Sequence, residues 1–108
     1  MFGEFRFVRS VCSGQVDLYV RLELHEADTF FVNSENPIDP QVMRCLSAGA
    51  HAALNDSGRY PMAVKILTYE NRGHGDNWGA INTASRAATN HALGLHHLLP
   101  SNVQVHEP

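Results

Sequence analysis

Apolar and polar positions alternate without a break along residues 16–24. Val16, Leu18, Val20, Leu22 and Leu24 are separated by Asp17, Tyr19, Arg21 and Glu23. A period of two sends successive side chains to opposite faces, so this stretch predicts a half-buried strand with one wet face. Residues 3–12 carry a looser version of the same pattern. Phe5, Phe7 and Val11 alternate with Arg6 and Ser10, and Val8 falls out of phase. Ser13-Gly14-Gln15 lies between the two runs and reads as a turn, which makes a hairpin. A third, shorter strand is expected over residues 29–33.

The period then changes. Asn36-Pro37-Ile38 breaks the strand pattern, and Asp39-Pro40 opens a helix with Asp as N-cap and Pro in the first helical position. Val42, Met43, Leu46, Ala50, Ala53 and Leu54 form its apolar stripe. Gly58 is placed to end it in a left-handed cap. Residues 61–69 predict a fourth strand, with Met62, Val64 and Ile66 on one face and Lys65 on the other. A second helix is expected over residues 80–93, with Ile81, Ala84 and Ala88 buried and Gly94 as its stop. The small residues on that stripe imply a close approach of helix to sheet. The order β-β-β-α-β-α predicts an α+β, two-layer sandwich: a mostly antiparallel four-stranded sheet with two helices on one face.

Between the fourth strand and the second helix lies an eleven-residue connection, Tyr69 to Gly79. That exceeds the usual two to six residues and so points to function or disorder. Its three glycines suit positive φ or close approach to a partner. Arg72, His74 and Asp76 add charge, and Trp78 adds a large flat surface.

Composition narrows the function classes. With 108 residues, 44% apolar and 18% charged, the chain is expected to be one domain, with a core over 3–94 and a tail over 95–108. Val103 and Val105 in the tail suggest a short edge strand. No apolar run approaches a membrane span, and the N-terminus shows no signal-peptide pattern, so a cytoplasmic protein is expected. Cys12 and Cys45 are too few and too far apart for a disulfide scaffold or a zinc knuckle, and read as buried free thiols. The net charge is −3, and seven of the eight basic residues are Arg. Free-standing nucleic-acid binders usually carry a basic excess. Any RNA contact is therefore expected to be local, made by Arg on loops, and weak alone.

Catalytic chemistry finds little support. There is no Gly-x-x-x-x-Gly-Lys-Ser/Thr motif, so neither a nucleotide nor GTPase activity is expected. Ser10, Ser13, Ser47, Ser57 and Ser85 lack a nucleophile elbow. His91, His96 and His97 cluster without His-x-x-x-His spacing, and His25 and His51 belong to other elements, so no metal or other cofactor is expected. An enzyme reading would need a metal at the C-terminal histidines.

Several segments together suggest a family. Ser13-Gly14-Gln15 leads into the alternating strand Val16-Asp17-Leu18-Tyr19-Val20. Phe31-Val32-Asn33 is followed by Pro and a helix, and Gly58-Arg59-Tyr60-Pro61 precedes the next strand. Tyr69 and His74 then precede a helix of small residues. In this order they resemble domain IV of translation elongation factor G and its relative elongation factor 2, of the ribosomal protein S5 domain 2-like fold. The resemblance covers residues 3–94; the loop departs from the family's pattern over Gly75-Asp76-Asn77-Trp78-Gly79. It implies a left-handed β-α-β crossover, and a non-catalytic domain that contacts the ribosome or structured RNA through loops at one end of the sheet. Carried onto this chain, the contact residues are Ser13, Gly14, Gln15, Arg72, Gly73, His74, Gly75 and Trp78. Arg72 would pair with phosphate, and His74 and Trp78 would stack on a base. The plainer expectation is a solvated loop in which Trp78 folds back on the core and Asp76 or Asn77 caps the helix. The alternative function is a protein-interaction or self-associating domain, a homodimer in the simplest case, because a small sheet leaves edges that pair readily.

Overall fold

Each element begins where its local chemistry starts to favour it. In the structure, a computed structural model that describes residues 1–11, 14–73 and 77–95, the order is β1 (Phe2–Val11), β2 (Gly14–Glu26), β3 (Phe31–Ser34), α1 (Pro40–Asp56), β4 (Met62–Asn71) and α2 (Trp78–Ala92). The fold is α+β, with one four-stranded sheet in the order β1-β2-β4-β3. β1 and β4 both run antiparallel to β2, and β3 runs parallel to β4.

Register explains the core. Gly3, Phe5 and Phe7 stand opposite Leu22, Val20 and Leu18, and Leu22 and Leu24 stand opposite Ile66 and Val64. These side chains share one face of the sheet. Both helices cover that face and join a single apolar cluster with Val42, Leu46, Leu54 and Ile81. α2 comes closest where it crosses Gly3, since a Cβ there would lie 2.0 Å from the Ala88 carbonyl oxygen. The alanines of α2 thus do what their size suggested. Where α1 and α2 meet, the buried Ser85 hydroxyl donates to the Leu46 carbonyl at 2.6 Å.

Helix boundaries follow their caps. The Asp39 carboxylate accepts from the backbone N–H groups of Gln41 and Val42, and Gly58 ends α1 with φ +74°. Asp39→Ala should therefore lower stability by about 1 kcal/mol in urea unfolding, at an unchanged denaturant slope. α2 opens two residues before the expected Ala80, because the Asn77 side chain accepts from the Ala80 N–H and places Trp78 and Gly79 in the first turn. β4 likewise runs on to Asn71, held by its pairing with the long β2. The connection expected to span eleven residues is therefore six, 72–77, an ordinary length. Length gives it no claim to function.

Cys45 is half-buried at the border of the core rather than within it. Cys12, His96, His97 and the strand suggested around Val103 and Val105 lie outside the described residues. Among the described residues, no helix is long and apolar enough to cross a membrane.

Candidate partner-binding site at the hairpin end of the sheet

The β1–β2 hairpin and the segment after β4 come together at one end of the sheet. β4 delivers Asn71 opposite Leu18, and the chain then continues along β2, with the Arg72 N–H donating to the Asp17 carbonyl at 2.8 Å. Gly73 follows, its N–H bound to the Asn71 side chain at 3.1 Å. A Cβ on Gly73 would lie 2.2 Å from the Gln15 carbonyl oxygen. Glycine is needed here for close approach of two backbones; neither Gly73 nor Gly79 takes a positive φ, whereas Gly14 in the hairpin does.

On the wet face of the sheet this end carries an ordered polar network. The Arg6 guanidinium donates to both Asp17 carboxylate oxygens, at 3.0 and 2.8 Å. The Tyr19 hydroxyl donates to Glu4 at 2.6 Å, and both residues are buried. Arg72 pairs with Glu70 at 2.7 Å and lies over the Tyr19 ring, 5.5 Å from its centroid. Two guanidinium groups thus flank one tyrosine.

These contacts shift two titrations. The bidentate hydrogen bonding from Arg6 holds the Asp17 carboxyl below the usual carboxylate range, against the cost of its partial burial. Burial, followed by the hydrogen bond to the Glu4 carboxylate, pushes the Tyr19 phenol up to about 12. The depressed Asp17 stabilises the fold above the ordinary carboxylate range, and that contribution is lost as pH falls through its lowered value. The raised Tyr19 stabilises the fold below about pH 10, the free phenol's value, and that part fades between there and about 12. Tyr19→Phe should accordingly remove the phenolate absorbance step centred near pH 12. The same step persisting in the variant would assign it to another tyrosine.

No family model matches the chain, and no curated protein sequence matches it.

Of the residues expected at the site, the structure gathers Gly14, Gln15, Arg72 and Gly73. Trp78 is not among them. It lies over α1 beside Gln41, Arg44 and Cys45, 40% exposed, so it neither joins the hairpin end nor enters the core. The cap it was expected to leave to Asp76 or Asn77 belongs to Asn77. Ser13, His74, Gly75 and Asp76 lie outside the described residues.

The sequence reading missed Arg6, Asp17, Tyr19 and Glu70. The signal was available for the first three. Val11 pairs with Gly14, and counting back from that pair sets Arg6 opposite Tyr19 on the polar face, with Asp17 on the diagonal. Arg6, Arg9 and Arg72 stand at this end against Glu4, Asp17 and Glu70 among the described residues. Arg9 is exposed, and among the described residues no carboxylate is paired with it. Among the described residues no three metal-ligating side chains cluster, here or elsewhere.

Proposed function

We propose that this chain is a non-catalytic contact module for structured RNA, working at the ribosome as its resemblance to elongation factor G domain IV suggests. The observation that supports this reading is the locking of two backbone segments, around Gln15 and Gly73, at one end of the sheet. A rigid end holds Gln15 and Arg72 on the wet face and Arg9, opposite Val16, on the helix-side face in fixed relation, which loops alone would not. The Arg72–Glu70 pair is about two-fifths exposed, so exchanging Glu70 for a phosphate costs little. Arg72 stacked on Tyr19 keeps its guanidinium plane ordered for such a contact. With few cations engaged, binding is weak and confined to low salt, because each phosphate neutralised contributes roughly one unit or less to the salt slope. A cytoplasmic setting follows from the same reading.

Co-sedimentation with ribosomes at low salt tests this. Wild type should pellet, Arg9→Ala/Arg72→Ala should pellet several-fold less, and Arg44→Ala, on the helical layer, should match wild type. Failure of wild type to pellet overturns the reading.

Self-association is a second reading, favoured by the outer edge of β1. Antiparallel alternation, with the Leu24 N–H bound to the Met1 carbonyl, turns the backbone groups of Glu4, Arg6, Val8 and Ser10 away from β2. His91 Nδ1 accepts from the Glu4 N–H, while no backbone partner stands opposite Arg6 to Ser10 among the described residues. Such an edge pairs with another strand. Light scattering across a concentration series decides it, since a monomer at millimolar concentration excludes this mode.

A further inference from the structure

The second helix buries three polar side chains, and two of them have obvious reasons to be there. Ser85 donates to the Leu46 carbonyl, and Thr89 donates to the Ser85 carbonyl at 2.8 Å. Asn90 is 4% exposed and its carboxamide makes no hydrogen bond with any described residue. A carboxamide has two donors and two acceptor lone pairs, and those of Asn90 are not sealed from solvent but open into a groove, where water or a ligand can meet them.

Asn90 lines a groove between α1 and α2. Near Gly49 the two helices are in tight contact, but further along α2 they face each other through Ala53 and Ala87, whose small side chains leave a cavity of about 490 Å3. Asn82, Arg86 and Asn90 stand one turn apart along its wall, and Asp56 comes from the end of α1 to pair with Arg86. Both members of that ion pair are about half exposed, so the pair is easily exchanged for other partners. The Asn82 side chain also has no partner among the described residues. The lining is therefore net neutral, with one cation, one anion and two open amides.

We infer that this groove binds a small zwitterion of the α-amino-acid class that carries a carboxamide. The charges decide the class. A simple anion at Arg86 would be repelled by the Asp56 carboxylate beside it, and a simple cation at Asp56 by the Arg86 guanidinium. A molecule with a carboxylate and an ammonium on one carbon re-pairs both. Its carboxamide then meets Asn90 one helical turn deeper, amide to amide, satisfying donors and acceptors on each side. The site is separate from the hairpin end and independent of the RNA reading.

The test is an amide-proton and nitrogen NMR titration of the full chain with L-glutamine, with L-glutamate and L-leucine as comparators. L-Glutamine should shift the Asn90 side-chain and Arg86 signals saturably, and at least tenfold more tightly than L-leucine. Arg86→Gln and Asp56→Asn, both at exposed positions, should each weaken binding about tenfold. Asn90→Leu should abolish the preference for glutamine over leucine; if that variant fails to fold, the two exposed variants carry the test. Absence of a saturable shift with glutamine overturns the inference. So does equal binding of leucine, or a shift that survives in both exposed variants.

Discussion

Gly3→Ala is expected to destabilise the protein by about 3 kcal/mol or more, far beyond the usual effect of one added methyl. The new Cβ would sit 2.0 Å from the Ala88 carbonyl oxygen and 2.6 Å from the Ala92 nitrogen. Both are backbone atoms of α2, so no side chain can turn aside to make room. The helix must lift from β1, and the contact of Ala88 with the sheet opens along with it. For a domain of this size about 3 kcal/mol corresponds to a fall in melting temperature of roughly 12–15 °C. Calorimetry on Gly3→Ala beside Gly79→Ala provides the contrast. Gly79 lies inside α2 with its nearest neighbour, the Asn77 side-chain oxygen, at 3.7 Å. There the extra methyl should be neutral or stabilising by up to about 1 kcal/mol. If the two variants melted together, close approach at Gly3 would not be what sets the helix height.

Phe5→Ala should cost about 3–5 kcal/mol. Phe5 is fully buried at the centre of β1, opposite Val20, and it is among the largest side chains in the cluster shared by sheet and helices. Removing its ring leaves a void bounded by rigid backbone, since α2 is already as close to β1 as Gly3 allows. The site therefore collapses poorly, which places the loss toward the upper part of that range. Total stability for a domain of this class is about 5–15 kcal/mol, so a substantial unfolded fraction at physiological temperature is expected. Urea unfolding followed by fluorescence measures it, and a loss below about 1.5 kcal/mol would mean that the core relaxes around the gap.

Much of the architecture was legible because its residues obey a local period. The alternation from Val16 to Leu24 announced β2, and Asp39-Pro40 and Gly58 announced both ends of α1. The order of elements followed from these. What escaped was set by distant partners. β4 is longer than its own composition suggests because β2 offers it hydrogen bonds up to Asn71. Asn77 starts α2 early through a side chain whose capping role depends on where the loop delivers it. At the candidate site, the glycines were read for dihedral freedom or close approach to a partner, whereas Gly73 serves close approach to this chain's own backbone at Gln15, a property of two segments rather than one. Trp78 was read by its chemistry, but its place follows from the phase of α2 against α1.

A single added residue governs which functional groups this sheet displays. Between Arg21 and Leu22 the pairing of β2 with β4 slips, so that Leu22 faces Ile66 and Arg21 faces Thr68, leaving Leu67 as the odd one out. Before it, the even-numbered residues Met62, Val64 and Ile66 look inward; after it Tyr69 shares Val20's side and Glu70 shares Tyr19's. Leu67 thus acts as a reading-frame shift written into the strand. Were Leu67 instead paired in regular register with Arg21, Tyr69 and Glu70 would trade faces. Glu70 would turn toward the core, Arg72 would lose its carboxylate, and the end of the sheet would display a different chemistry from the same sequence.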